Sequence, residues 1–216
     1  MIIDKHILNT RDGSHSLNHA MLNETYHSHH GAISESDYIF IQKGLQQVES
    51  TQAAILDGHI RVLEIGFGTG LNALLALLWS ECKKIPMMYE TLEPFPLALN
   101  IINSLNYAEC LNSDFLNRSF KKIHQSVWNT PVPITSYFKI IKHQQSLQKI
   151  KFKEPFNIIF FDAFSPDTQP ELWQKSIFKK CFNCLYSNSI LVTYCVKGTV
   201  KRLASEVGFK VERLAG

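Results

Sequence analysis

The sequence predicts an α/β protein of the Rossmann-like kind, with a mostly parallel sheet and helices on both faces. Three observations carry this expectation. From Arg61 onward, short strands rich in β-branched and aromatic residues alternate with helical patterns. A glycine turn, "GFGTG" at 66–70, lies between the first of these strands and the first of these helices. Two apolar strands run out on acids, Glu93 and Asp162, and the carboxyl edge of an open parallel sheet is where ligands bind.

Residues 1–58 are polar and histidine-rich, and are expected to form an extension packing on a domain at 59–216, with the boundary near Asp57-Gly58. In the extension, "SESDYIFIQKGLQQVES" (34–50) predicts a helix that starts from a serine cap and breaks at Gly44. "RVLEIGF" then reads as a first strand, "GLNALLALLWSECKK" as its helix, and "PMMYETLEP" as a second strand closed by Glu93. "FPLALNIINSLN" predicts the next helix. An irregular stretch containing Pro131 and Pro133 leads to a strand at "SYFKIIKH" and a short helix over 146–150. "FNIIFFDAF" is a buried strand, "QPELWQKSIFKKCFNCL" a helix, "SILVTYCV" a strand and "TVKRLASEVG" a helix. The chain stops inside "FKVERLAG", which reads as a further strand, so the last strand of the sheet is expected to be missing and this edge unpaired.

Composition narrows the class. A chain of 216 residues suits one domain, and 45% hydrophobic with 19% charged residues describes a globular protein. No apolar run reaches about eighteen residues, and Asp4 and Arg11 interrupt the N-terminus where a signal peptide stays apolar. The expected location is the cytoplasm, away from membranes. The five cysteines are an odd, sparse set, and Cys181-x-x-Cys184 has no second pair or spaced histidine to complete a zinc site. His15, His19, His27, His29 and His30 likewise lack a completing cysteine or acid, so no metal is expected. The net charge of +3 is mild, but "NRSFKK" (117–122), "KIKFK" (149–153) and "VKGTVKR" (196–202) gather cations. Such clusters suit solvated faces and also a nucleic-acid backbone.

The glycine turn gains meaning from its neighbours. Glycines let a ligand approach the backbone, and the helix N-terminus favours its electronegative groups. Glu64, two residues before the first glycine, is placed to accept from a cationic amine, and Glu93 to accept both hydroxyls of a ribose. The alternative is a tight turn flanked by two surface acids. E-x-G-x-G-x-G with a second-strand acid resembles the S-adenosylmethionine site of class I methyltransferases. Asp162 can then orient an acceptor amine and take its surplus proton, with Phe164 and Pro166 as a wall; otherwise it caps a turn before Pro166.

Five stretches extend the resemblance over nearly the whole chain: residues 12–45, "LEIGFGTGLNALLAL", "LEPFPL", "FFDAFSPDTQPELW" and "EVGFKVERLAG". Together they resemble the tRNA wobble-uridine aminomethyl methyltransferases, that is, MnmD-type proteins and the methyltransferase half of bifunctional MnmC. The resemblance implies methylation of 5-aminomethyl-2-thiouridine in the anticodon region of tRNA, with S-adenosylmethionine as cofactor and, the oxidoreductase half being absent, no flavin. It implies that Glu64, Gly66, Phe67, Gly68 and Gly70 form the cofactor loop, that Glu93 with Pro94 holds the ribose, and that Tyr26 with the segment to Gly31 closes the pocket. Asp162, between cofactor and acceptor, and Phe164 would face the amine. Where the family has Gly-Asp-Leu, this sequence has Gln145-Ser146-Leu147. Ser146 therefore takes the adenine-side place, with Gln145 or Asp114 as the other candidates. Two further readings stay open: another class I methyl- or aminopropyltransferase acting on a small amine, and a catalytically impaired tRNA-binding relative.

Overall fold

The computed structural model describes residues 5–50 and 58–214, so Asp57 of the expected boundary lies outside the described residues. The N-terminal part contains a sheet that its polar composition concealed. β1 (Lys5–Asn9), β2 (His15–His19) and β3 (Glu24–Thr25) pair antiparallel in that order. The β1–β2 turn is built on Asp12, whose carboxylate accepts from the hydroxyls of Thr10 and Ser14 and, across the chain, from Ser34. Partial burial works against ionisation there, but these hydrogen bonds outweigh it and hold Asp12 well below the usual carboxylate range.

The next helix is continuous, running through α1 (Ala32–Ser36), a π-helical stretch Asp37–Leu45 and α2 (Gln46–Ser50). It begins two residues before the expected serine cap, because Asp12 supplies the cap from a distance. Gly44 does not break it. A Cβ at Gly44 would stand 3.1 Å from Ile158, so the glycine lets the helix lie close on the sheet.

The main sheet follows: β4 (Ile60–Ile65), α3 (Leu71–Lys83), β5 (Met87–Leu92), α4 (Leu99–Ile102), α5 (Tyr107–Cys110), α6 (Asp114–Gln125), β6 (Val132–Pro133), β7 (Phe138–His143), β8 (Phe156–Phe161), α7 (Lys175–Asn183), β9 (Leu185–Val192) and α8 (Gly198–Val207). Its order is β6-β7-β5-β4-β8-β9, parallel throughout except at the β6–β7 pair. Strand alternation divides the core in two. Val62, Ile158 and Phe160 face the π-helical stretch, α3 and α6, whereas Leu63, Ile159 and Phe161 face α7 and α8. Burial on both faces is why β8 runs apolar without a break from Ile158 to Phe161.

Several elements depart from expectation. The helix expected over 95–106 shrinks to the single turn α4, and the "irregular" stretch contains α6, a twelve-residue helix capped by Ser113, whose side chain accepts from Leu116 N–H. α6 buries Leu116, Phe120 and Ile123 at helical spacing. Residues 146–150 form a turn, not a helix. β9 starts four residues early and passes through Asn188 at φ +63, where its register against β8 shifts. Residues 209–214 form no strand, and the expected edge is absent there.

Phe160 lies at the centre, its ring 5.1 Å from Phe40 and 6.1 Å from Tyr89. Replacing it by Ala is expected to cost about 3–5 kcal/mol, read as a fall in the urea midpoint with little change in slope.

Candidate active site

The glycine loop is set by the strand ends on either side. Gly66 and Phe67 N–H both donate to Leu92 O at 3.2 Å, and Asp162 N–H donates to Ile65 O at 2.9 Å. Gly66, at φ +94, sits so close to β8 that a Cβ would collide with the Asp162 carbonyl. Gly68, at φ +49, lies under the Tyr26 ring, 3.0 Å from where its Cβ would be. Both positions exclude side chains. Gly68 N–H donates to Glu93 Oε2 at 3.1 Å, and Phe95 N–H to Oε1 at 2.9 Å. Each carboxylate oxygen accepting one of these bonds keeps capacity for a ribose hydroxyl. Gly70 precedes α3, whose first N–H groups therefore face the loop.

Two histidines grip the loop at Thr69. His27 Nε2 meets Thr69 Oγ1 at 2.9 Å, and His124 Nε2 meets the Thr69 carbonyl at 3.1 Å. Burial brings His27 down to about 4, against the pull of Asp12. Burial and the charge of Lys142 bring His124 down to about 3. The Lys142 side chain is itself inside the protein, 1% exposed, and burial lowers it to about 8. Its Nζ donates to His124 O at 2.7 Å and stands 4.7 Å from the Trp128 ring centre, so a carbonyl and an aromatic face stabilise its charge.

Beside Gly68 opens a cavity of about 400 Å³ walled by Phe67, Leu97, His124 and Trp128. An apolar slot next to a hydroxyl-accepting carboxylate fits a nucleoside. Pro94 follows Glu93, whose N–H donates to His143 O and brings the 143–146 loop alongside. Ser146 lies in that loop, its carbonyl accepting from Lys149 and Ile150 N–H. Asp114 does not reach the site. It begins α6, whose other end carries His124, and at 1.5 Å per residue the two are about 15 Å apart.

The opposite side of Gly68 is aromatic and acidic. The Tyr26 and Phe164 rings meet edge to face at 5.1 Å, and His19 meets Phe164 at 5.8 Å. Phe164 is held by its carbonyl, which accepts from Trp173 Nε1 at 2.8 Å, while Glu24 binds Ser165 N–H and hydroxyl at 2.8 and 3.0 Å. Half-buried Asp162 accepts from Asn72 Nδ2 at 2.7 Å. Burial and the nearby Glu35 raise its carboxyl to about 7, with Asn72 opposing. Glu64 is elsewhere: 0% exposed, it lies beneath the loop and accepts from Thr91 Oγ1 at 2.7 Å. Burial pushes it well above the usual range.

The structure thus gathers Tyr26, Glu93, Asp162 and Phe164 about the glycine loop of Gly66 and Gly68, places Phe67 in the wall of the cavity and leaves Glu64 below. Sequence reasoning missed Asn72, Glu24, His124, Trp128 and Lys142. The signals were faint but present: one amide in the apolar run "GLNALLALL", and the second of the two lysines in "FKIIKH".

Because folded His27 titrates at about 4 and unfolded histidine at 6.5, the unfolded chain takes up the proton that the folded one refuses. Stability is complete above pH 6.5 and falls as pH drops through the window. The expected loss from His27 alone is roughly 2–3 kcal/mol near pH 4.5. His27→Gln should flatten the difference between urea midpoints measured at pH 7 and pH 5.

Comparison with known proteins shows the family. The chain is 25% identical over 210 residues to the tRNA 5-methylaminomethyl-2-thiouridine biosynthesis bifunctional protein MnmC of Paraburkholderia phymatum, covering 91% of this chain and 31% of that protein. It is 26% identical over 208 residues to the protein of the same name from Leptospira interrogans, covering 89% and 31%. The chain therefore spans about a third of these relatives' length. The crystal structure of MNMC2 from Aquifex aeolicus superposes with a TM-score of 0.75 at 25% identity, over 96% of this chain and 65% of that one. Residues 109–216 match the sequence profile of the S-adenosyl-L-methionine-dependent methyltransferase family. That matched half holds β7, β8 and β9 with Asp162, and pairs at β4 and β5 with the strand ends that carry the glycine loop and Glu93: the chain belongs to the S-adenosyl-L-methionine-dependent methyltransferases.

Proposed function

We propose that the chain methylates the aminomethyl group on the wobble uridine of tRNA, converting 5-aminomethyl-2-thiouridine to 5-methylaminomethyl-2-thiouridine. The observation that carries this reading is Asp162, a carboxyl raised to about 7 at the sheet edge, beside the aromatic pair Tyr26 and Phe164. The names of the relatives point to the same modified nucleoside. In this reading residues 59–216 are the catalytic domain, and residues 1–58 an extension that lends it Tyr26.

Bound S-adenosylmethionine would supply an electrophilic methyl group on a sulfonium. Glu93 and Pro94 would hold the ribose, the wall of Phe67 and Trp128 with the Ser146 loop would take the adenine, and the N–H groups opening α3 would face the carboxylate of the methionine part. Asp162 would accept an N–H of the substrate amine, aligning the nitrogen lone pair with the methyl carbon. Methyl transfer would leave the sulfonium's bonding pair on sulfur and a surplus proton on the amine nitrogen. Asp162 would then take the surplus proton and release it to water. Tyr26 and Phe164 would present flat apolar faces on which a pyrimidine can stack. Exposed cations on α6 and in the 149–153 segment, Arg118, Lys121, Lys149, Lys151 and Lys153, would meet phosphates.

A small-amine substrate is the second reading, favoured by the acids Glu24 and Glu35 near Asp162. Labelled methyl transfer tested side by side on hypomodified tRNA and on free polyamines separates the two. Transfer to tRNA alone is expected; transfer to polyamines alone would overturn the tRNA assignment. Asp162→Asn is expected to lower kcat about 10²–10⁴-fold while changing S-adenosylmethionine affinity far less, as read by calorimetry. Equal losses in both would remove its role toward the acceptor.

A further inference from the structure

Asp162 does not stand alone. Asn72, in the first turn of α3, sends Nδ2 to its Oδ2 and is itself 2% exposed. On its other side Asn72 faces Glu64, as does Tyr89. Glu64 Oε1, Asn72 Oδ1 and the Tyr89 hydroxyl meet no partner at hydrogen-bonding geometry, although all three are inside the protein. Three oxygens left over in one buried knot call for an explanation.

We propose that Asn72 is a positioning residue for methyl transfer: standing between Glu64 and Asp162, its amide holds the Asp162 carboxylate by Oδ2 and leaves Oδ1 for the acceptor amine. This rests on the acceptor-side reading of Asp162. The chemistry of the groups supports the arrangement. An ionised carboxylate only accepts, so it selects the amide face that carries Nδ2–H. That turns Asn72 Oδ1 away from Asp162, toward a group that must donate. Glu64, kept neutral by its burial, has the O–H to do so, and the Tyr89 hydroxyl can then donate to the other acid oxygen. The amide thereby reads the charge of both carboxyls. With Glu64 protonated and Asp162 ionised, each buried atom can find a partner by small rotations; with both ionised, Asn72 Oδ1 has none.

Titratable groups that act on or with Asp162 come from three elements and one connecting segment: Glu35 on α1, Glu64 on β4, Tyr89 on β5 and Tyr194 after β9. Glu35 and Glu64 raise its affinity for a proton when ionised, whereas the Asn72 donor lowers it. Removing that donor should therefore move the acidic limb of activity upward.

The test is a cycle of Asn72→Leu, Asp162→Asn and the double variant, in full-length protein with S-adenosylmethionine and hypomodified tRNA. Asn72→Leu is expected to lower kcat roughly 10–100-fold and to shift the acidic limb of the kcat/KM profile up by roughly one pH unit. In the Asp162→Asn background the same change should cost less than about threefold. Equal cost in both backgrounds, or an unmoved limb, overturns the proposal. If Asn72→Leu does not fold, Asn72→Ser and Asn72→Ala replace it. Serine keeps a donor, so it should retain more kcat than alanine at matched melting temperature; no difference overturns the proposal. If Asp162→Asn keeps the wild-type kcat, the acceptor-side reading of Asp162 fails instead. Loss in Asp162→Asn with additive behaviour of Asn72→Leu sinks only the role of Asn72.

Discussion

The parallel pairing of β4 with β8 is the constraint on which the site depends. Ile65 lies opposite Phe161, the Asp162 N–H closes onto the Ile65 carbonyl, and the missing side chain of Gly66 lets the two strand ends touch. One register thus brings the glycine loop and Asp162 to the same point of the sheet edge. A slip by one residue would turn Asp162 to the opposite face. Val62 and Ile158 pack in one core and Leu63 and Ile159 in the other, so a slip would force both cores to repack.

Charge is distributed unevenly about this point. Acids cluster on the Asp162 side, with Glu35 and Glu64 close by, whereas the buried cation Lys142 lies behind the opposite wall of the cleft. In methyl transfer from a sulfonium to an amine, positive charge leaves sulfur and arrives on nitrogen. A fixed carboxylate beside the nitrogen interacts more strongly with the product-like state than with the neutral amine, which is the condition for accelerating the step and not merely binding the reactants. In the proposed reaction, poor hydration around Asp162 would strengthen that interaction.

How far the site was legible in the sequence depended on whether its residues act through local pattern or through remote contact. The glycine loop, Glu93 and Asp162 were visible because strand periodicity fixes where each strand ends, and the ends define the ligand edge. Glu64 kept its position but not its surroundings: its residue type invited a ligand role, and only the fold shows Thr91 opposite it in a sealed layer. The antiparallel sheet of residues 5–25 was hidden by short strands with polar, half-exposed faces. α6 was hidden by proline-bearing sequence after it and by eight polar or charged residues among its twelve that masked the spacing of Leu116, Phe120 and Ile123. His27, His124 and Lys142 act across long sequence separations, and no local rule links them.

The clamp on Thr69 ties together segments far apart in the chain. Tyr26 and His27, at the end of the small antiparallel sheet, cover one side of the glycine loop, and His124, at the end of α6, holds the other. The loop therefore cannot loosen without releasing both, so backbone amides of the β3 strand, the loop and the end of α6 should exchange with solvent as one cooperative unit. A ligand seated on the loop would then slow exchange in a small sheet that precedes the loop by some forty residues of sequence. The N-terminal sheet, though outside the Rossmann-like core, would report the occupancy of the cofactor site.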